Sequence, residues 1–540
     1  MIWTLFPYGS RVIANPFKNS PQVFHVQQHS KEESTLGSNT NFVLICWTYD
    51  WDGSGLVRHV FDFRIPKYEG FKSIPELPCC PIKLYCQDGV SGRDLEQTLT
   101  ERGKLFRQRC IPNHMVAQPV YRTDSFVLFP KTSGELFPSS DSQGDIEFSD
   151  SDAFSMSVIL DSTLCKLHST GIHSMGKFHP NSFGRLISVP RAHCKCQLCD
   201  NDGQYSLFEE SFRGPGGDDS IANEMSMLLP PRLHAFVLDV KKWAQVLVNN
   251  LKETNDINNE EGWKKLALDD DHKRNIRAMV TSHFDRERRK IAKDDGGRDI
   301  HDFTHGKGEG LVIFLHGVPG VGKTMTAETL SLALKRPLLR IDASDLEHKN
   351  PNQVSEVFKR RFEMSSSWGA LLLLDEADVF LQDRKRSEID QNALVSVLLR
   401  ELEYFRGVLI MTTNRPVTMD PAVRSRIHYA VRYKELNEVN IGKVWNTFFD
   451  QLNDTNCVPG ERENIRKWFE DGGARTLARS KFTGRDVRNL FIGAQLLSYP
   501  MITRNNIKKV RQSICDFTAD MAKVYHPKIQ KNTAAGDDSD

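Results

Sequence analysis

The sequence lacks several features that would place it in a special class of protein. Its 540 residues contain no apolar run near the ~18 residues needed to cross a bilayer, and the best runs, Leu311–Leu315 and Ala370–Leu374, have the length of buried strands. Lys plus Arg total 71 against 70 Asp plus Glu, so the formal net charge of +1 gives no overall attraction to nucleic acid or acidic membranes. We therefore expect no integral membrane segment and no nucleic-acid partner.

The first thirty residues contain no Asp or Glu and include Arg11 and Lys18, a bias that mitochondrial transit peptides share. Pro7, Gly9 and Pro16 would interrupt the amphipathic helix that such a peptide needs. No apolar stretch typical of a secretory signal is present. We therefore favour a cytoplasmic or nuclear location over a mitochondrial one.

The 11 cysteines are spread thinly, which favours reduced thiols over disulfides. One cluster, His193, Cys194, Cys196 and Cys199, has a CxCxxC spacing that could hold a metal through three thiolates and an imidazole. A loop of free thiols is the alternative, because zinc sites usually have a second, distant CxxC-like pair and none with clean spacing is present. The sequence leaves this choice open.

Hydrophobic patterning divides the chain into regions of different character. Phe42–Trp47 and Val60–Ile65 have strand-like patterns around an Asp-Gly turn, whereas Leu233–Leu251 has a helical or mixed pattern and Trp263–His283 a helical one, followed by a charged linker at Asp285–Asp302. We assign residues 1–230 to a β-rich α+β domain with a disordered insert near 132–157, 231–302 to a helical connector, 303–436 to an α/β core, 437–526 to a helical lid and 527–540 to a disordered tail.

The α/β core is predicted from apolar runs that alternate with helical segments. Such alternation is typical of a parallel sheet buried on both faces by helices. The predicted strands are Leu311–His316, Pro337–Ile341, Ala370–Leu374, Val408–Thr412 and Ile427–Tyr433.

The strongest motif is GVPGVGKT, which follows the first of these strands and opens a helix. Its glycines allow backbone N–H groups to converge on phosphate oxygens, and the helix N-terminus adds a positive dipole end. Lys323 would reach the β- and γ-phosphates of ATP, and the Thr324 hydroxyl would ligate Mg²⁺. The predicted nucleotide-binding residues here are Gly317, Val318, Pro319, Gly320, Val321, Gly322, Lys323, Thr324 and Met325.

The second motif, LLLLDEAD, places Asp375 and Glu376 directly after a buried strand, at the edge where α/β sheets bind ligands. Asp375 would hold Mg²⁺, directly or through a water molecule, and Glu376 would polarise the attacking water. An acidic pair after a strand is common by itself, but its position after a P-loop favours ATP hydrolysis.

Three further segments carry polar residues with a plausible role. Asn414 ends the fourth strand and would contact the γ-phosphate and the attacking water. Arg424 and Arg426 could stabilise charge in the active site of a neighbouring subunit, or form ordinary surface ion pairs. In FTGRDVRNL, Arg485 or Arg488 could reach over the nucleotide from the lid.

Taken together, these motifs resemble those of AAA ATPases over about residues 306–499. The phrases GKGEGLVIFLHGVPGVGKTMTAE, WGALLLLDEADVFL and LVSVLLRELEYFRGVLIMTTNR are similar to a fungal-type subgroup whose N-terminal domain is uncharacterised. The resemblance implies a five-stranded parallel P-loop sheet with a helical lid, which would follow the mixed α+β N-terminal region that the patterning predicts. It also implies that Asn414 is sensor 1, that Arg485 is sensor 2, and that Arg426 is favoured over Arg424 as the arginine finger.

The resemblance further implies a homo-oligomer, commonly a hexameric ring, that remodels a protein client. Two alternatives stay open: a nucleotide-dependent binding switch with little turnover, and a DNA-acting motor, which the neutral charge disfavours. One departure bears on mechanism, because the segment after the second strand, Asp345–Pro351, lacks the aromatic residue that many AAA translocases use to thread substrates.

Overall fold

The computed structural model describes most of the chain in two compact units, Met1–Asp256 and Ile257–Asp540. The described residues are 2–17, 20–33, 40–51, 53–87, 89–110, 119–123, 126–128, 156–168, 184–187, 212, 225–253, 260–291, 307–342, 346, 350–381, 389–414, 419–453 and 455–525. The His/Cys cluster at 193–199 and the tail at 527–540 lie outside them, as do most of Asp345–Pro351 and of the insert near 132–157. Within these ranges no cluster of metal-binding side chains occurs and no helix is long and apolar enough to span a membrane.

Among its described residues, the first unit contains two six-stranded antiparallel sheets, a two-stranded sheet and two α-helices. One sheet has the order β11-β4-β3-β2-β1-β5 and the other has the order β14-β8-β10-β12-β13-β9. The strands are β1 Arg11–Phe17, β2 Ser20–Glu33, β3 Thr40–Trp51, β4 Leu56–Ile65, β5 Cys80–Pro81, β6 Cys86–Gln87, β7 Val90–Ser91, β8 Val120–Thr123, β9 Phe126–Leu128, β10 Met156–Leu160, β11 Gly184–Ile187, β12 Arg232–Val237, β13 Lys242–Leu247 and β14 Lys252–Glu253. The helices are α1 Gly92–Cys110 and α2 Ser162–His168.

Alternation of side chains along the long strands builds a core on each face of the first sheet. On strand β3, Trp47 and Tyr49 belong to the core that also contains residues of the second sheet, whereas Leu44 and Cys46 belong to a separate core on the opposite face. The predicted hairpin between β3 and β4 is confirmed, since the two strands pair antiparallel from Phe42–Ile65 to Trp51–Leu56.

The structure corrects the prediction of a helical connector at 231–302. Residues 232–237 and 242–247 form the antiparallel pair β12–β13, in which Leu233 and its partner Val246 are buried. Eight of the twelve residues of these strands are apolar, and both strands lie in the interior of a sheet. Short apolar segments of this kind are ambiguous between strand and helix. Similarly, Met156 and Ser157, predicted within the disordered insert, begin strand β10.

The second unit is built on a five-stranded parallel sheet with the order β16-β17-β18-β15-β19, and the predicted parallel sheet is confirmed. Its strands are β15 Leu311–Gly317, β16 Leu338–Asp342, β17 Leu371–Asp375, β18 Val408–Thr413 and β19 Tyr429–Tyr433. The central strands β17 and β18 are buried at every position, which explains their unbroken apolar sequences.

Helices cover this sheet and form the lid. They are α3 Glu261–Lys265, α4 Asp270–Ile291, α5 Lys323–Ala333, α6 Pro351–Trp368, α7 Asp378–Leu381, α8 Ile389–Tyr404, α9 Pro421–Arg424, α10 Glu438–Phe449, α11 Glu461–Trp468, α12 Ala474–Arg479, α13 Gly484–Leu496 and α14 Arg504–Tyr525, with a π-helical segment at Phe469–Gly473. Helix α4 continues to Ile291, so the first part of the predicted linker at 285–302 is helical. Trp263, Leu266 and Ile276 share a core with strand β15, which places helices α3 and α4 in the second unit.

Candidate nucleotide-binding site

The P-loop, residues Gly317–Thr324, joins strand β15 to helix α5 in backbone conformations that require glycine. Gly317 has φ of 145°, and a Cβ there would lie 2.2 Å from the carbonyl oxygen of Tyr433. Gly320 has φ of 73°. Gly322, the N-cap of α5, has no side chain to cap the first N–H groups of the helix, which leaves them available for an anion.

Lys323 is held at the base of this loop. It is 6% exposed, and its Nζ donates hydrogen bonds to the carbonyl oxygens of Gly317 at 2.9 Å and Val318 at 2.7 Å. Burial lowers the pKa of Lys323, and the carboxylates of Asp375 and Asp378 act in the opposite direction. The loop therefore orients a desolvated lysine next to two acidic residues.

Asp375 is the centre of the polar cluster at the carboxyl edge of the sheet. The Thr324 hydroxyl lies 3.0 and 3.2 Å from its two carboxylate oxygens, although the two residues are 51 positions apart. The Thr412 hydroxyl from β18 donates to Asp375 Oδ1, and Arg340 Nη2 from β16 donates to Asp375 Oδ2 at 2.6 Å. Two neighbouring strands and a helix thus contact the carboxylate of Asp375, a residue that is 6% exposed.

Glu376 follows in a left-handed backbone conformation, with φ of 54°. This region is costly for a residue with a side chain, by roughly 1–3 kcal/mol, and such strain is concentrated at functional sites. Thr412 helps to hold it, because its Oγ1 accepts a hydrogen bond from the Glu376 N–H at 3.2 Å. One hydroxyl therefore contacts both members of the acidic pair.

Asn414 lies directly after β18 and is partly exposed. The preceding residue, Thr413, donates a hydrogen bond from Oγ1 to Asp378 Oδ1 on helix α7. The structure thus brings the end of β18 beside the acidic motif, as the order of the strands requires.

The two candidate finger arginines differ in their surroundings. Arg426 Nη1 donates to the carbonyl oxygen of Ala422 at 2.9 Å, in helix α9 of the same chain. Arg424, the last residue of that helix, is exposed. Arg424 is therefore more accessible to a neighbouring subunit than Arg426, although the resemblance favours Arg426 as the arginine finger.

The lid contacts the P-loop through the start of helix α13. The Gly484 N–H donates to the carbonyl oxygen of Gly320 at 2.9 Å. Thr483 caps the helix, with its hydroxyl and Asp486 forming a capping box. A Cβ on Gly320 would lie 2.7 Å from Thr483 Oγ1 and 3.5 Å from the Cβ of Arg485, so Arg485 begins beside the loop. Its role as sensor 2 stays a prediction.

The other predicted loop residues differ in exposure. Val321 is buried in the core of the second unit, and Met325 is 53% exposed on the first turn of α5. Pro319 lies in the turn of the loop. Contact of these residues with a nucleotide stays a prediction.

These residues fit MgATP on the chemistry of their donors. The loop offers glycine backbone, an uncapped helix N-terminus and a lysine, which suit phosphate. A hydroxyl and a carboxylate 3.0 Å apart supply the hard oxygen ligands that Mg²⁺ prefers.

Sequence reasoning missed two residues that contact Asp375, namely Arg340 and Thr412. Thr412 stands two residues before Asn414 in the segment MTTNRP, so its position at the strand end was a usable signal. Arg340 carries no local signal, because it reaches Asp375 only after β16 pairs with β17.

Comparisons with known proteins agree with this site. Residues 313–434 match the family described as "ATPase family associated with various cellular activities (AAA)", and residues 1–85 match a domain of unknown function, DUF7025. A Methanocaldococcus jannaschii protein, named only as a homolog of a 26S proteasome regulatory subunit, is 24% identical over 36% of this chain and 52% of its own length. Human ATPase family gene 2 protein homolog B is 33% identical over 21% of this chain and 16% of its own length.

Human ATPase family AAA domain-containing protein 3B is 28% identical over 37% of this chain and 33% of its own length. The chain thus spans about half or less of the curated relatives it matches. Among solved structures, the FIGL-1 AAA domain is 20% identical, with a TM-score of 0.35 over 50% of this chain and 91% of that one. The matched residues and the geometry of the site together indicate that the chain carries an AAA ATPase domain and an N-terminal domain of unknown function.

Proposed function

We propose that the second unit hydrolyses ATP to ADP and phosphate. The observation that carries this proposal is the contact between the Thr324 hydroxyl and Asp375, 3.0 Å apart, with Glu376 directly following. That arrangement combines a phosphate loop with a metal-binding pair and an adjacent carboxylate, which is what ATP hydrolysis requires.

In this proposal each residue has a defined task. The Lys323 ammonium would exchange its carbonyl partners for the phosphate oxygens of ATP, and Thr324 with Asp375 would hold the Mg²⁺. When bound, Mg²⁺ would neutralise charge on the phosphate oxygens. Glu376 would accept a proton from the attacking water, and Asn414 would orient that water against the γ-phosphate.

The direct test is the steady-state ATPase rate of the wild-type protein beside Glu376→Gln. Glutamine keeps the shape but cannot accept the proton, so we expect a loss of roughly 10²–10⁴-fold with nucleotide binding retained. Glu356→Gln, on the exposed face of helix α6, is the matched control and should leave the rate unchanged. A wild-type rate near zero and equal to that of Glu376→Gln would instead favour a nucleotide-dependent binding switch.

We further propose that the active form is a homo-oligomeric ring in which Arg424 or Arg426 acts on the nucleotide of a neighbour. The exposed position of Arg424 at the end of α9 supports this role. Removal of a finger arginine would cost roughly 10³–10⁵-fold in rate. Mixing Arg424→Ala with Glu376→Gln protein would then restore part of the activity, since an interface in which a Glu376→Gln subunit supplies Arg424 to the nucleotide of an Arg424→Ala subunit combines an intact finger with an intact Glu376.

The same mixing experiment with Arg426→Ala identifies which arginine acts. Absence of restoration for both mixtures, or a specific activity that is independent of protein concentration down to nanomolar levels, would refute an intersubunit site.

The client is proposed to be a protein, and affinity capture with Glu376→Gln in ATP is the experiment that would identify it. The match of residues 1–85 to a domain of unknown function supports the resemblance to the fungal-type AAA subgroup, in which an uncharacterised N-terminal domain precedes the ATPase module.

A further inference from the structure

Arg340 on edge strand β16 bridges two carboxylates at the carboxyl edge of the sheet. Its Nη2 donates to Asp375 Oδ2 at 2.6 Å, and its Nε donates to Asp342 Oδ1, also at 2.6 Å. Arg340 and Asp342 are two residues apart and so share a face of the strand, and Asp342 stands opposite Asp375 in the parallel register. Glu328 on helix α5 adds a further negative charge to the field at Arg340.

The guanidinium group of Arg340 therefore donates to one oxygen of Asp375, the carboxylate that would bind Mg²⁺ in the proposed function. Thr412 occupies the other oxygen, and Thr324, the second proposed metal ligand, contacts both. A carboxylate offers about four lone-pair sites, and Thr324, Thr412 and Arg340 together make four contacts with the two oxygens of Asp375. Two cations this close also repel each other, so Arg340 opposes the binding of the metal.

We infer that Arg340 is an internal counter-ion for Asp375, which it holds until Mg²⁺ displaces its Nη2. This inference rests on the proposed function only in taking Asp375 as a metal ligand, and it needs no hydrolysis. Arg340 thereby acts as a positioning residue: it keeps the buried carboxylate neutralised and in place, and it raises the Mg²⁺ concentration that nucleotide binding requires.

The contacts of Arg340 suit a group that is displaced and returns. Its side chain is 43% exposed, whereas the Asp375 side chain is 8% exposed, so the arginine can move into solvent while the carboxylate stays. The Nε contact with Asp342 keeps the guanidinium nearby after Nη2 is released. Lysine at this position could not make both contacts in the same way, because it lacks the planar fork of donors.

The test measures nucleotide binding as a function of Mg²⁺ in the full-length chain. A fluorescent, non-hydrolysable ATP analogue is titrated in EDTA and at a series of Mg²⁺ concentrations, for wild type, Arg340→Met and Arg340→Lys. Methionine keeps much of the aliphatic length and removes the cation. For a partly exposed ion pair we expect Arg340→Met to lower the half-saturating Mg²⁺ concentration by about three- to tenfold. Arg340→Lys should fall between the two.

Arg360→Met is the matched control, because Arg360 is also about half exposed and pairs with an acidic residue, Glu356, on helix α6. Its half-saturating Mg²⁺ concentration should equal that of wild type, and thermal unfolding checks that all variants fold. An unchanged or higher half-saturating concentration in Arg340→Met would overturn the inference. Wild-type protein that binds the analogue with Mg²⁺ but does not hydrolyse ATP would refute only the proposed function. Binding of the analogue with an affinity that does not depend on Mg²⁺ would overturn the inference about Arg340 and leave the proposed function to the ATPase assay.

Discussion

The contact between the lid and the P-loop makes a sharp prediction for Gly320→Ala. Two costs are expected there, and the structure separates them. The first is conformational, because alanine at φ of 73° is strained by about 1 kcal/mol. The second is steric, because the new Cβ would lie 2.7 Å from the Oγ1 and 2.9 Å from the Cβ of Thr483, well inside normal contact distance.

Relief of that clash requires Thr483 to move, and Thr483 is the N-cap of helix α13. The adjacent hydrogen bond from the Gly484 N–H to the Gly320 carbonyl would then lengthen or break. Small-to-large substitution in packed sites costs about 1–3 kcal/mol, and a lost hydrogen bond about 1 kcal/mol. We therefore expect Gly320→Ala to cost about 3–5 kcal/mol in total, of which about 1 kcal/mol is the backbone strain and the rest lies in the lid contact.

Gly308→Ala isolates the first cost, because Gly308 has φ of 65° but no atom lies within 4 Å of the position that a Cβ would take there. The assay is hydrogen–deuterium exchange of the peptide containing Gly484, combined with nucleotide affinity. Gly320→Ala should speed exchange there by about tenfold or more and weaken nucleotide binding, and Gly308→Ala should do neither. Equal exchange in the two variants would refute the claim that the lid is coupled to the loop through this contact.

Three further predictions concern buried polar groups. Thr412→Val, which cannot hydrogen-bond Asp375, should lower kcat by about tenfold or more with a smaller change in KM, and Thr412→Ser should restore kcat. Burial lowers the pKa of His283 to about 4, so the unfolded chain binds the proton more readily than the folded chain does. The contribution of neutral His283 to stability is therefore complete above pH 6.5, and the free energy of unfolding should fall by about 2–3 kcal/mol as the pH drops to 4. His283→Gln should flatten this pH dependence in denaturant titrations. In the first unit, Arg232→Met should cost about 3–5 kcal/mol by leaving Asp50 buried and unpaired, and adding Asp50→Asn should recover part of that loss in the same measurement.

Much of the second unit could be predicted from the sequence because its signals are local. Strands β15, β17 and β18 begin with continuous apolar runs. Such a run is typical of any strand that is buried on both faces of a parallel sheet, so it identifies the strand without information on which strand lies next to it. The P-loop could be predicted for the same reason, because its glycines and its lysine are close together in the sequence and form one loop. The strands β12 and β13 were missed because their apolar runs have no period that separates strand from helix.

The sequence by itself determined the five strands of the parallel sheet, to within two residues at each end, and the polar residues that carry its chemistry. Only the tertiary structure decided which groups contact one another: Arg340 donates to Asp375, Thr412 contacts both acidic residues, and the Gly484 N–H donates to Gly320. The physical reason is that strand order and lid packing bring together positions far apart in the chain. No pattern of neighbouring residues encodes a hydrogen bond between such positions.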